Sequence, residues 1–429
     1  MDVTKTKQRW VILVGAIIVM MFISIYQYSW SLFASGINSD LKWEMTTIQV
    51  AFTLYTYAAT FIQPFSGYFA DKFGPRTIAI IGGLLTSAGL LLSSTITSPL
   101  QLYLYYTLGS IGVGMLYGIS AATAVKWFPD RRGLATGLVT FGFGAGTALF
   151  NLPFQAWITT YGVKTAFLYV GILMLIFILP FTFFYKYPEF VAKQQKPEEK
   201  KEEKKEEKKE DTTNWKWYEM LKTPQWWVIY ISFTIVAAIA LLFGAQVKPM
   251  AKENKIPAAV LNFVLVAYPL ANGFSRILGG WISDVIKNRQ MTGMIFYLLA
   301  GIFMIALGVT AKNPTGFAAF VVLSMLFAGY VFAFNPAVIG DFYGPRYSTT
   351  NYGITYTAKS WGGLISGYIT AWLLVTFGSY TYSIMGLGIG ALIAAVLVSP
   401  WVLKKPKKKV PTASTQTSST PATPQSQSK

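Results

Sequence analysis

The ten residues Gly67-Tyr68-Phe69-Ala70-Asp71-Lys72-Phe73-Gly74-Pro75-Arg76 decide the fold. They make a short charged turn between two long apolar runs, 47–70 and 77–97. About 20 predominantly apolar residues form a helix long enough to cross a bilayer core about 30 Å thick. Working outward from the turn, twelve such runs are found, at 10–35, 47–70, 77–97, 100–125, 133–158, 165–185, 225–247, 258–282, 291–311, 317–340, 350–377 and 382–403. The turn recurs in the second half as Gly280-Trp281-Ile282-Ser283-Asp284, again just after an even-numbered run. A weaker pair follows the fourth and tenth runs: Trp127-Phe128-Pro129-Asp130-Arg131-Arg132 and Phe342-Tyr343-Gly344-Pro345-Arg346. The pattern predicts an all-α membrane protein with twelve transmembrane helices in two six-helix halves. The halves are 1–185 and 223–403, separated by a linker at 186–222 and followed by a tail at 404–429.

Composition agrees with that reading. Of 429 residues, 53% are hydrophobic and only 13% charged, with mean hydropathy +0.44. Soluble domains carry about 25% charged residues. The chain has no Cys and no His, which excludes disulfides, thiolate nucleophiles, Ser-His-Asp triads and His- or Cys-based zinc and haem sites. No Walker sequence is present, so the residues offer no support for ATP-driven transport. No cofactor is called for.

The formal charge of +18 suggests nucleic acid until the charges are placed. Leaving out the linker, 17 Lys and Arg fall on the side of the termini and six on the other. The positive-inside rule then predicts a multi-pass protein of the cell (plasma) membrane with N- and C-termini cytoplasmic. The lipid bilayer, not nucleic acid, is the expected partner. Residues 1–9 lead straight into the first span, with no cleavage site after it.

Residues 193–211 carry eight Lys and eight acids in an EEKK repeat. Its period sets Glu198, Glu202, Glu206 and Glu210 at i,i+4, where like charges repel on a helix, so a charged tether is expected. The Ser/Thr/Pro/Gln-rich stretch 410–429 reads as a disordered tail.

Two cations stand inside apolar runs: Arg276 and Lys359. A cation at a helix centre costs about 2.5–3.5 kcal/mol on insertion scales and normally has a partner or a watery cavity. Nine of the 18 acids lie in 189–211, and the rest sit at or beyond span ends. The missing counter-ion is most economically the substrate, and two fixed positive charges suit a small carboxylate, best a dianion. Arg276 offers a planar bidentate fork and Lys359 a compact point charge. Asn272 precedes Arg276 by one turn, and Tyr356 precedes Lys359 by one turn. Gln27, Tyr28, Gln49 and Tyr117 add polar groups well inside spans one, two and four.

GYFADKFGPR matches the signature loop G-x-x-x-D-[RK]-x-G-x-R of the major facilitator superfamily at every fixed position, between spans two and three. The chain therefore resembles that superfamily over about residues 10–403. Within it the chain is similar to the oxalate/formate antiporter family. The similarity rests on Gln27-Tyr28-Ser29-Trp30, Gln49-Val50-Ala51-Phe52-Thr53-Leu54 and Trp127 to Ala135, with Met220-Leu221-Lys222-Thr223-Pro224-Gln225, Asn351-Tyr352-Gly353 and Ala358-Lys359. The resemblance implies that Arg276 and Lys359 hold substrate carboxylates, and it strengthens Tyr28, Gln49 and Tyr117 as pocket residues. It also implies gating by Gly67, which allows close helix approach, by Asp71, Lys72 and Arg76, and by Asp284 of the second half. In oxalate-carrying members a Trp stands where this chain has Ala328, another where it has Tyr356, and a Tyr where it has Phe143. Loss of a wall residue at Ala328 implies a wider site for a bulkier or singly charged acid, with Tyr330 and Asn335 placed to refill it.

The expected function is secondary active antiport of small mono- or dicarboxylates, such as oxalate, formate or lactate, by alternating access in a monomer. The partners are then an organic anion and its counter-substrate. The alternative is a proton-coupled monocarboxylate symporter, which has no intramembrane Asp, Glu or His to carry the proton. A membrane-embedded enzyme lacks a recognisable nucleophile, base or metal set. A receptor or scaffold would keep the fold without transport.

Overall fold

The computed structural model describes residues 7–128, 132–188, 214–344 and 347–407, without the side chains of Asp71, Lys72, Val125, Arg132, Leu134, Thr136, Asp284, Ser348 and Thr349. The linker repeat, the tail from 408 onward, Asp130, Arg131 and Arg346 lie outside the described residues.

The described residues are helical with no strand. The first half contains α1 (Gln8–Ile23), α2 (Ile25–Tyr28), α3 (Trp30–Leu41), α4 (Met45–Phe73), α5 (Pro75–Ser93), α6 (Pro99–Trp127), α7 (Arg132–Ala145) and α8 (Asn151–Thr182). A short α9 (Trp217–Met220) leads into α10 (Pro224–Glu253), α11 (Ala258–Ile286), α12 (Arg289–Thr310), α13 (Pro314–Ala328), α14 (Val331–Tyr343), α15 (Ser348–Tyr356), α16 (Ala358–Leu364), α17 (Thr370–Phe377) and α18 (Thr381–Leu397). Proline opens α5, α6, α10 and α13, where its missing N–H costs nothing. The side chains of Ser98, Thr223, Asn288 and Asn313 cap the helices that follow them.

Nine stretches of the described residues are long and apolar enough to cross a membrane, three fewer than the runs counted in the sequence. Each difference has a physical reason. Gly137–Thr182 counts as one stretch of 46 residues. It is broken at Gly162, whose φ of +82° turns the chain back, and the Asp40 carboxylate accepts from Val163 N at 2.7 Å beyond the break. The 29-residue α4 is diluted by its Thr, Gln and Tyr side chains, and α18 has only 17 residues. The second half repeats the first at the joint after its even runs: Gly344 (φ +84°, ψ 159°) copies Gly74 (φ +86°, ψ 151°), and both precede Pro-Arg. No L side chain adopts that φ readily.

The halves meet along two antiparallel ladders. On the first, α4 runs against α15–α17. A Cβ added to Gly367 would touch Thr53, one on Gly363 would collide with Thr56, Thr60 bonds Ser360, and Gly353 faces Pro64. On the second, α7–α8 run against α11. Gln155 Nε2 donates to Asn262 Oδ1 at 3.0 Å, Asn151 Nδ2 to the Leu265 carbonyl at 2.7 Å, and Gly144 abuts Gly273. Both ladders end at one level. Cβ atoms added to Gly67, Gly137, Gly280 or Gly340 would meet nothing within 4 Å. The expected close approach at Gly67 is therefore not found, because the halves have already parted there. On the opposite side, away from the linker, residues 236–247 of α10 are buried on every face. That helix end is gripped by both halves, and a Cβ on Gly244 would stand 2.5 Å from the Gln27 carbonyl. The molecule is thus sealed on the far side and parted on the linker side.

Candidate functional site: a buried cation pair between the halves

Arg276 comes from α11, one turn beyond the Gly144–Gly273 rung, and Lys359 from α16, beside the Thr60–Ser360 rung. They are 5% and 3% exposed, and among the described residues neither has a carboxylate within 4.0 Å. Arg276 Nη1 donates to the Thr140 carbonyl of α7 at 3.1 Å, while its buried Nε has no hydrogen-bond partner. Lys359 Nζ donates to the Tyr356 hydroxyl at 3.4 Å, long for a hydrogen bond. The charge that acts on Lys359 is Arg276, and it has the same sign.

Aromatic faces stand in for counter-ions. Phe332 covers both cations, with its ring centroid 5.0 Å from the Arg276 guanidinium and 5.8 Å from Lys359 Nζ. Phe143 and Tyr356 lie 5.6 and 5.5 Å from the same ammonium. A ring face attracts a cation by about 0.5–2 kcal/mol, far less than an anion in contact. The box continues with Tyr117, stacked on Tyr356 at 5.9 Å and edge-on to Phe143 at 5.0 Å.

The structure brings six predicted residues together: Arg276, Lys359, Tyr28, Tyr117, Asn272 and Tyr356. Asn272 Nδ2 donates to the Tyr28 hydroxyl at 2.7 Å, and Tyr28, Tyr117, Tyr352 and Tyr356 surround the Arg276 side chain. Tyr268 donates to the Tyr28 carbonyl and fixes the chain there. The helical ladders loosen beside these groups while the backbone stays right-handed helical. The loosening falls at Ser29 in the first span beside Tyr28, at Thr357 in the eleventh beside Lys359, and at Gly329-Tyr330 in the tenth one turn before Phe332.

Gln27 accepts from the Tyr55 hydroxyl at 3.2 Å and leaves its fully buried Nε2 donor unpaired. Gln49 lies apart from the cations, at the far-side seal. Its Oε1 accepts from Trp30 Nε1 at 3.0 Å and its Nε2 donates to the Ala245 carbonyl at 2.9 Å, so the amide is committed to the far-side seal. Accordingly Gln49→Leu should leave anion affinity within about threefold while slowing exchange, read by equilibrium binding beside flux. The Tyr330 ring packs on Phe296 (4.6 Å), Phe334 (5.9 Å) and Gly279 inside the second half. Asn335 donates to the Val331 carbonyl of its own helix. Arg76 is exposed, and the side chains of Asp71, Lys72 and Asp284 lie outside the described residues. Thr140 and Phe332 were missed. A lone phenylalanine in an apolar run carries no signal of its own, and Thr140 contributes only its carbonyl.

Two halves sealed at one end, parted at the other and holding a buried charged site between them have the architecture of a membrane transporter. The model of the Major Facilitator Superfamily matches residues 12–247 and 238–427. The chain is 33% identical to the oxalate:formate antiporter of Oxalobacter formigenes over 371 residues, 86% of each protein. It is 25% identical to monocarboxylate transporter 12 of Xenopus laevis, covering 78% of this chain and 76% of that one. The crystal structure of a point mutant of the nucleoside transporter NupG superposes with a TM-score of 0.69 at 15% identity, over 90% of this chain and 98% of that one. The chain belongs to the major facilitator superfamily; it is a transporter, not an enzyme, and it resembles the oxalate/formate antiporters.

Proposed function

We propose that this protein exchanges small carboxylates across the cell membrane, binding them between Arg276 and Lys359. The observation that carries the reading is a pair of buried cations with no carboxylate within 4.0 Å of either among the described residues. At an effective dielectric of about 20, two like charges about 10 Å apart repel by on the order of 1–2 kcal/mol, whereas an anion about 4 Å from either gains about 4 kcal/mol from each. An empty site resists closure of the linker side and a filled one permits it, so the halves rock with cargo and not without. That coupling makes exchange obligatory. The similarity to the oxalate:formate antiporter supports oxalate and formate as first candidates. The linker side faces the cytoplasm, as the excess of Lys and Arg there requires. The protein works as a monomer of two six-helix halves at 1–185 and 223–403, and Gly67, Asp71, Lys72, Arg76 and Asp284 act on the linker side when the halves close.

The test is efflux of labelled oxalate from proteoliposomes, with and without external formate or oxalate. Exchange requires that efflux start only when external anion is added. The second reading is proton-coupled symport of a monocarboxylate, and the similarity to monocarboxylate transporter 12 supports that class of substrate. It requires net flux driven by an imposed pH gradient with no anion outside.

A further inference from the structure

The helix that carries Lys359 changes pitch shortly after it. Residues Ile365–Ile369 form a π-turn between α16 and α17, and the Thr370 side chain donates to the Ile365 carbonyl at 2.8 Å. Such a turn holds one residue more than an α-turn; it is rare, and frequent at functional sites. Here its carbonyls have an outside partner. Gln246 of α10, fully buried, donates from Nε2 to the Ser366 and Gly367 carbonyls at 3.4 and 3.1 Å. The amide is oriented by the Tyr380 hydroxyl, which donates to Gln246 Oε1 at 2.9 Å. The neighbouring Ala245 carbonyl takes the Gln49 amide from the first half, and Gly367 presses on Thr53 and the Gln49 carbonyl. Three spans therefore meet at the π-turn, at the far-side seal.

We propose that Gln246 is a positioning residue for Lys359: by holding the π-turn it fixes the rotational register in which Lys359 enters the cleft. Reverting the turn to α-helix shifts the register by one residue, which rotates the lysine by roughly 100° against the far-side segment. That is enough to take its ammonium away from the rings of Phe143 and Phe332, which stand on other helices. Because the same node closes the far side, parting Gln49 from Ala245 loosens the hold on the turn, so the aim of Lys359 follows the gate. This inference rests on the reading of Lys359 as a carboxylate ligand.

The test uses the purified full chain, oxalate and formate as probes, and Gln246→Met, which keeps length and loses both donors. Lys359 serves the second carboxylate, so oxalate affinity should fall about tenfold and formate affinity less than threefold. In a Lys359→Gln background Gln246→Met should cost nothing further, since it acts through the lysine. Tyr380→Phe should shift both affinities the same way by less. Equal losses for both anions, or a full additional loss in the double variant, would overturn the proposal. Amide deuterium exchange over 358–370 gives a reading free of ligand: Gln246→Met should speed it, and unchanged exchange would overturn the positioning role. Should the wild type bind neither anion at millimolar concentration, the carboxylate reading falls and the exchange result alone decides the register.

Discussion

Lys359→Met should cut oxalate exchange at least a hundredfold and at the same time raise the thermal midpoint of the empty protein. The two effects have one cause. Lys359 is buried, pairs with no carboxylate among the described residues, and stands near a second cation. Removing a buried, poorly compensated charge relieves a desolvation cost of about 2.5–3.5 kcal/mol on insertion scales. With anion present the balance reverses, because a contact of about 4 kcal/mol is lost. Exchange in proteoliposomes and thermal unfolding in detergent measure the two sides. A lysine kept for structure would show the opposite stability change, so a lowered midpoint would sink the assignment. Arg276→Lys is informative beside it: the fork is lost, and with it the bond to the Thr140 carbonyl that ties the cation to the first half.

The second large effect is expected at Gly363. A Cβ there would stand 1.9 Å from Thr56 Oγ1 and 2.5 Å from Thr56 Cβ, on the seam between α4 and α16. Thr56 is held by its own bond to the Thr53 carbonyl at 2.8 Å and does not yield cheaply. Gly363→Ala should therefore stop the far side from closing and reduce exchange by about fiftyfold or more, with each half still folded. Gly112→Ala makes the contrast. Its Cβ would meet the Gly82 carbonyl at 2.3 Å inside the first half, so it should destabilise the protein by about 1–3 kcal/mol. Because the chain has no native cysteine, a single cysteine introduced at Asn151 would report far-side opening by its labelling rate. Gly363→Ala should raise that rate and Gly112→Ala should not; equal rates would mean that the seam does not gate.

The all-helical fold was legible because a bilayer imposes a coarse rule, about 20 apolar residues per crossing, that survives local irregularity. The repeat around Gly67 and Gly280 then supplied the two halves. The cation pair was legible for the same reason, since Arg276 and Lys359 break the rule at a cost. What escaped notice lies below that scale. Gln49 and Gln27 look alike in sequence, one early in span two and the other late in span one. Only packing decides that Gln49 spends its amide on Trp30 and Ala245 while Gln27 keeps a free donor. Phe332 is one of 31 phenylalanines, and its place over both cations depends on the loosened turn at Gly329-Tyr330. Tyr330 sits in that turn and is drawn into packing on Phe296, a choice set by the volume above Gly279.

The hydrogen bonds of the far-side seal join amides and carbonyls: Gln49 to Ala245, Asn151 to Leu265 and Gln155 to Asn262; Lys248 of α10 and Asp40 of α3 face each other on the same side as opposite charges. Breaking such bonds moves dipoles but no net charge. A transmembrane voltage acts on charge, at about 2.3 kcal/mol per elementary charge per 100 mV, so it has little purchase on these latches. The charges left for the field to act on at the site are Arg276, Lys359 and whatever they hold. A dianion exchanged for a monoanion is then electrogenic, and a like-for-like swap is electrically silent. The current is set by the cargo.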